Sequence, residues 1–392
     1  MKRGETHPLK NKRTVYAGFL LLIVWGFLSA IMIILQVPFV LYLEFSENPW
    51  QPINSKTYPE TGVATIDFVD SYHGWIAGEN GMIMVTTDGG ISWEDQHSGI
   101  DVDIRAIDFF DVNIGVAISN ENDILITQNG GKVWILLKKV TSPNNATDIS
   151  LWDLVTCDEH TAWVLGLTGT FFRVDILNQN WTYVSKVSHV RYLAMVNSSH
   201  GWATGGSSKI VKTTDGWQSI EIQSAGVSQS FYGIFFWDVR KGWVVGSDNT
   251  ILATTDGGQH WQVQYTYRPF LQYGVGVSFL DIFFITEEKG WTVGSGIHYT
   301  KDGGKTWYDL GSETWTASRI AFANKTHGWA VSSRKERSYI TSVGGVPPID
   351  EKLLILGGSI GISLGVFSPV LVMVALILFQ QHKTQNFKSD GH

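Results

Sequence analysis

The chain has 392 residues, with 17 Trp, 41 Gly and a single Cys; 44% of residues are hydrophobic and 17% charged. One Cys excludes an internal disulfide framework and a Cys-cluster zinc site, and a formal net charge of -7 argues against a nucleic-acid partner, which needs basic surface to displace counterions. So many Trp beside so many Gly points to a repeated β-unit that uses both at set places.

Residues 1–14 are a basic tail, with Lys2, Arg3, Lys10, Lys12 and Arg13 against Glu5 alone. Val15 to Leu43 carries no charged side chain, which exceeds the roughly 20 apolar residues a bilayer-spanning helix needs. It also exceeds a signal-peptide core, so an uncleaved transmembrane helix is expected over 15–43, with Pro38 at a kink or at its end. Leu353 to Phe379 is a second uncharged stretch, and a transmembrane helix is expected over 351–380. Gly357, Gly361 and Gly365 line one face of it at four-residue spacing, which lets another helix approach closely. Lys383 and Lys388 follow in a tail over 381–392. Positive flanks stay cytoplasmic. Both termini are therefore expected inside, with residues 44–350 on the extracytoplasmic side and the lipid bilayer as one partner.

The segment between the spans repeats. A Thr-x-Asp-Gly-Gly-x-x-Trp element runs from Thr86 through Asp88, Gly89 and Gly90 to Trp93. It returns with Asp256, Gly258 and Trp261, and again with Asp302, Gly304 and Trp307. Weaker copies carry Asn129 with Trp134, Asp215 with Trp217, Asp175 with Trp181, and Val343 before Gly344. The Asp-equivalent positions are 88, 129, 175, 215, 256, 302 and 343, which gives seven units of about 42 residues. A Gly-Trp element precedes most of them, as Gly74-Trp75, Gly201-Trp202, Gly242-Trp243, Gly290-Trp291 and Gly328-Trp329; other units read Gly115-Val116 and Ala162-Trp163.

Within a unit the pattern is β. Tyr232 to Phe236, Trp243 to Val245, Ile251 to Thr254 and Trp261 to Gln264 read as four strands from the centre outward. Asp256-Gly257-Gly258 between the last two is a hairpin signal, because Gly supplies positive φ and Asp bonds nearby N–H groups. Seven such units predict an all-β, seven-bladed β-propeller flanked by an N-terminal and a C-terminal transmembrane helix. Val346-Pro347-Pro348 is a poor strand, so the last blade needs an outer strand from elsewhere. Trp50-Gln51-Pro52-Ile53 is the expected donor, since Pro52 is tolerable on an edge.

The element from Thr86 to Trp93 and from Thr300 to Trp307 resembles the Asp-box, or BNR, repeat. Gly74-Trp75-Ile76-Ala77-Gly78 followed by Asn80-Gly81-Met82-Ile83 and then the box is more specific, as is Gly242 to Gly246 followed by Asn249 to Leu252. This compound unit, over about residues 50 to 345, resembles the photosystem II stability and assembly factor family. The resemblance implies a seven-bladed lumenal propeller with an Arg-rich working surface. The exported segment holds Arg105, Arg173, Arg191, Arg240, Arg268, Arg319, Arg334 and Arg337, and no motif carries the family's patch onto particular ones.

The function expected from this is a non-enzymatic scaffold or assembly factor that holds protein subunits of a membrane complex, with no cofactor and no metal. A receptor or adhesion module is an alternative, because Asn145, Asn180, Asn197 and Asn324 begin Asn-x-Ser/Thr sequons. A sialidase-like glycosidase is another, and would need Arg173, Arg240 and Arg319 to converge. Asp88, Asp256 and Asp302 recur at hairpins and are read as turn-stabilising, and Cys157 as a buried small side chain. His73, His200 and His327 are read as turn residues. Trp152, Trp237 and Trp315 lie outside both repeat registers and are left as candidates for something more specific.

Overall fold

A computed structural model describes residues 50–52, 59, 62–141, 149–266, 277–310, 317–323, 327–332 and 339–341. Ser46–Pro348 forms one compact unit. The two expected membrane spans, with Gly357, Gly361 and Gly365, lie outside the described residues. No helix among the described residues is long and apolar enough to cross a membrane.

The described fold is an all-β propeller. Seven antiparallel four-stranded sheets form; in six of them strand order follows chain order, and the seventh takes its outermost strand from the start of the array. Six are described down to their side chains. In the fifth, Phe231–Phe236, Gly242–Gly246, Thr250–Thr254 and Gln262–Tyr265 run from the axis outward. The seventh comprises Arg319–Phe322, Gly328–Val331, Tyr339–Thr341 and, outermost, Trp50–Pro52. Trp50 pairs with Thr341 and Pro52 with Tyr339, so the two ends of the repeat array are tied by one ladder. Pro52 sits on the outermost strand, an edge position where proline is tolerated. Each innermost strand touches the next, and that of the first sheet meets that of the seventh.

The Gly-Trp element is the adhesive between blades. Trp75 stacks on Phe109 of the next blade with ring centroids 3.5 Å apart, Trp202 on Phe236 at 3.6 Å and Trp243 on Phe284 at 3.7 Å. Trp329 stacks on Phe68 at 4.4 Å, which joins the seventh blade to the first. Each Phe lies flat over the Gly of its own unit's Gly-Trp pair, or over Gly115 in the second unit, where a Cβ would strike the ring. Its edge meets the box Trp, as in Phe109 on Trp134 and Phe284 on Trp307. The register explains the exceptions. Val116 replaces the Trp of the second unit, and Thr156 replaces the Phe of the third, so both members of that stack are absent together.

The ring has two unlike faces. One carries the turns between first and second strands (inner turns) and the box hairpins between third and fourth strands. Of the thirteen exposed large hydrophobic side chains among the described residues, Tyr72, Phe110, Val112, Trp237 and Val239 lie in inner turns, and Ile91, Val133 and Leu177 in hairpins. The remaining five lie on outermost strands. Among the described residues the opposite face, made of the connections between blades and between second and third strands, carries none.

Candidate functional site

The box residues are held by local hydrogen bonds. The Thr86 hydroxyl donates to Asp88 Oδ1 at 2.8 Å and accepts from Gly90 N at 2.8 Å. Asp88 then accepts from Ser92 N at 2.9 Å and from the Ser92 hydroxyl at 2.6 Å. Desolvation opposes the charge on Asp88, but the Ser92 hydroxyl and N–H hold its carboxyl below the usual range. Asp215 repeats the pattern with Thr213 and Ser219, and Asp302 with Thr300 and Thr306. At Asp256 the His260 N–H and then its ring hold the carboxyl down at about 2. Asn129 accepts from the Thr127 hydroxyl and Val133 N. Val133 has no hydroxyl, so a single amide oxygen meets the need and Asp is not required there.

The paired glycines serve the next blade. Gly130 O accepts from the Gln96 side chain at 2.7 Å and from the Trp75 indole at 3.4 Å. Gln223 and Trp202 bind Gly257 O in the same way, and Gln264 and Trp243 bind Gly303 O. A Cβ on Gly258 or Gly304 would strike the incoming Gln, and one on Gly90 would strike Trp329. Trp217 occupies the second-glycine position of its box with φ +63°. It is fully buried there and stacks on Phe171 at 4.1 Å. The box Trp residues Trp93, Trp134 and Trp307 are buried beneath their hairpins.

A different cluster forms at the channel mouth on the opposite face. Nine residues before the Gly of each Gly-Trp pair, or its equivalent Ala162, stand Thr65, Ala106, Asp153, Tyr192, Gly233, Asp281 and Arg319. All seven occupy the same ladder position of their innermost strand. In six blades a β-bulge precedes that position. The extra residues are Ala64, Arg105, Trp152, Arg191, Tyr232 and Leu280. A bulge re-aims the side chain it carries, and here it gathers two Arg and two aromatics from four blades. Arg105 lies over the Trp152 ring at 4.5 Å, and Tyr192 meets Tyr232 edge-on at 6.4 Å.

Inner-strand carboxylates clasp neighbouring blades. Asp67 accepts from Phe109 N at 2.8 Å, Asp108 from Thr156 N at 2.6 Å, Asp153 from Leu193 N at 2.8 Å and Asp281 from Ile320 N at 3.0 Å. Burial outweighs these bonds. It raises Asp67 and Asp153 to about 6, and raises Asp108 and Asp281 as well. Arg319 is the cation among them. Burial opposes its charge, but Asp281 and Asp153 hold it above the usual value. It donates to Ser318 O at 3.1 Å and forms no ion pair among the described residues. A guanidinium has five N–H donors, so the remaining donors suit an incoming anion. For Arg105, burial and then repulsion from Arg319 lower its hold on the proton.

The sialidase expectation fails on placement. Arg319 is at the mouth, Arg240 is in an inner turn on the other face, and Arg173 is on a third strand bonded to Thr161. They do not converge. Arg268, Arg334, Arg337, Asn145, Asn324 and Trp315 lie outside the described residues. Trp152 lines the mouth and Trp237 is exposed on the hairpin face. Burial and then Asp108 and Asp158 push the Cys157 thiol well above its usual range, which makes it inert. His73 is tied to Asp70 at 2.9 Å and His200 to Asn197, each within its own turn. No metal-holding group of three His, Cys, Asp or Glu occurs among the described residues. A groove of about 670 Å³ between Ser207 and Val227 on the fourth blade has one charged residue, Lys209, and no convergent set.

The pattern of the family described as Photosynthesis system II assembly factor YCF48 matches residues 43–182 and 217–314, more than half the chain. The Photosystem II assembly protein Ycf48 of Thermosynechococcus vestitus is 32% identical over 93 residues, 24% of this chain and 25% of that protein. The Photosystem II assembly lipoprotein Ycf48 of Prochlorococcus marinus is 37% identical over 68 residues, 16% of this chain and 20% of that protein. The chain thus aligns with a quarter or less of the length of these curated relatives. A solved structure of YCF48 bound to D1 peptide superposes with a TM-score of 0.61 at 22% identity, covering 78% of this chain and 99% of that one. Virginiamycin B lyase from Staphylococcus aureus superposes with a TM-score of 0.60 at 13% identity, covering 74% of this chain and 98% of that one, a likeness of fold alone. The compound repeat, its ring of Trp–Phe stacks and the extent of the matched pattern together place this chain in the photosystem II assembly factor YCF48 family.

Proposed function

We propose that this chain is a non-enzymatic assembly or stability factor that holds a peptide segment of a membrane-complex subunit at the channel mouth. Residues 15–43 and 351–380 anchor it, both termini are cytoplasmic, and the propeller works on the extracytoplasmic side. The observation that carries this reading is the gathering of Arg105, Arg191 and Arg319 with Trp152, Tyr192 and Tyr232 on one face, from five blades. Guanidinium groups match carboxylates, and aromatics supply rigid contact area at low entropic cost. A relative of the same fold was solved with a D1 peptide bound, which supports peptide as the ligand class. The mouth has no paired nucleophile and base, and its Asp side chains are occupied in clasping blades.

The test is co-purification from mild detergent with identification of bound subunits, comparing the native chain with Arg105→Gln and Arg191→Gln. A reproducible membrane subunit that both substitutions release supports the reading. A chain that purifies alone, or keeps the same subunit in both variants, overturns it. Cleavage of a sialoside reporter would overturn the non-enzymatic part. Binding of an acidic peptide should strengthen from pH 7 to pH 5.5, because Asp153, raised to about 6, loses its charge near the Arg319 guanidinium over that range.

A further inference from the structure

The channel changes character from one end to the other. At the mouth, Arg319 of the seventh blade and Asp153 of the third act on each other across the axis, so that side of each innermost strand lines the channel. Side chains two and four residues further along a strand share its side. Two residues on, Asp67 and Asp108 are spent on the N–H groups of the next blade. The other five blades present Val155, Ala194, Phe235, Phe283 and Ala321 there.

Two residues beyond these, one residue of each blade donates its N–H to the carbonyl that closes its inner turn. These are the last positions before the inner turns, so they ring the opening on the hairpin face. Five of them are Val69, Cys157, Val196, Ile285 and Ala323, and the other two are Phe110 and Trp237. The collar is therefore apolar in every blade. Val69, Cys157, Val196 and Ile285 pack partly against the clusters between blades. Phe110 and Trp237, 45% and 40% exposed, belong to none of those clusters. They come from the second and fifth blades of seven and stand on nearly opposite sides of the opening. Val112 and Val239 extend each of them along its own turn. Single exposed apolar side chains are ordinary, but a set converging on one opening marks a contact site.

The rim around this collar is acidic. Asp70, Asp111, Asp158 and Asp238 accept from the N–H groups of their own turns. Glu159, Glu287 and Glu288 project beyond them. Arg240, Lys241 and Lys289 are the cations of the described inner turns, and Lys241 is paired with Glu287 at 3.4 Å. Glu159 and Glu288 have no Lys or Arg partner among the described residues.

We infer that the hairpin-face end of the channel is a second docking site, for a basic peptide segment that leads with a bulky apolar side chain. The apolar side chain enters between Phe110 and Trp237, and flanking Lys or Arg meet the carboxylates of the rim. Charge complementarity of this kind selects the partner and speeds its arrival. The same carboxylates repel the phosphates of an anionic lipid surface. The two ends of the channel then have opposite preferences, with guanidinium groups at the mouth and carboxylates here. This site stands whether or not the mouth holds a peptide.

The test uses the full chain in mild detergent and fluorescein-labelled peptides read by anisotropy. The probes are Lys-Lys-Leu-Phe-Lys-Lys, its acidic counterpart Glu-Glu-Leu-Phe-Glu-Glu and the polar Lys-Lys-Ser-Ser-Lys-Lys. The variants are Phe110→Ser and Trp237→Ser, with Ile222→Ser, an exposed site on the fourth blade's outermost strand, as control. The basic apolar probe should bind best, and each tip variant should weaken it about ten-fold while the control leaves it unchanged. Raising salt from about 50 to about 300 mM should weaken it several-fold. Unchanged melting temperatures in the variants attribute the loss to the site and not to unfolding. Failure of the basic apolar probe to bind, tighter binding of the acidic probe, or equal binding by the tip variants overturns the inference. So does self-association of the native chain that Trp237→Ser abolishes, which gives the face to a second copy. Displacement of the probe by short-chain phosphatidylglycerol would give it to lipid and overturn the inference as well.

Discussion

The box hairpins and the innermost strands put the same side chain to opposite uses. At the hairpin face Asp88, Asp215, Asp256 and Asp302 are near water and ringed by local donors. Their carboxyls sit below the usual range. Along the channel Asp67, Asp108, Asp153 and Asp281 each have one good backbone donor from the next blade and little solvent. Their carboxyls are raised. The difference shows that a hydrogen bond does not by itself make an aspartate acidic. The balance of donors gained against water lost decides the sign.

The largest expected break in that comparison is Arg319→Met. It leaves Asp281 and Asp153 without their cation, and removing one partner from a buried charge group costs about 3–5 kcal/mol. Urea unfolding in detergent measures it. Asp153→Asn added to Arg319→Met should recover part of the loss; no recovery would show that the charges are not coupled. Trp243→Ala comes next. It empties a fully buried site and should cost about 3–5 kcal/mol by cavity formation and lost stacking, without touching either set of carboxylates.

Stability against pH separates the two regions directly. Asp67 and Asp153 have folded values raised to about 6, so ionising them favours the unfolded chain. Their contribution is neutral below about pH 4 and is increasingly unfavourable as pH rises to 6. Asp256, lowered to about 2, behaves in the opposite way. Its contribution is present above about pH 4 and is lost as pH falls toward 2. Melting curves of Asp153→Asn should lose part of the decline between pH 4 and 6, the rest being carried by Asp67. Those of Asp256→Asn should lose part of the decline below pH 4.

Smaller effects follow at single hairpins. Asp88→Ala should lower the melting temperature by about 1–3 °C, since one turn loses its bonds while the sheet remains. Asn129→Asp should change stability by less than about 0.5 kcal/mol, because Val133 offers the second carboxylate oxygen no hydroxyl. A large effect there would mean that the boxes do more than hold their own turns.

Much of this was legible in the sequence. The box spacing marked the units, and the proline-rich segment after Gly345 marked a blade in need of a strand. Trp50 to Pro52 supplies it, in the outermost position. The role of Gly-Trp was only half legible. The Trp was assignable to the blade interface, but its Phe partner lies in the following unit. The mouth was not read at all. Arg105, Trp152, Arg191, Tyr232 and Arg319 look unrelated along the chain, although each stands nine or ten residues before a Gly-Trp Gly or its Ala equivalent. A bulge adds one residue to a strand and turns a side chain, and no composition or alternation reports where that happens.

The sequence alone therefore determined what repeats locally: the hairpin chemistry, the strand period, and the number and length of the units. These depend on residues within a few positions of one another. Tertiary structure alone decided which side chains from different blades meet at the axis, which carboxylates lose their water there, and on which face the exposed apolar residues collect. Each of these depends on closing the ring, which brings positions about 42 residues apart into contact and removes the solvent between them.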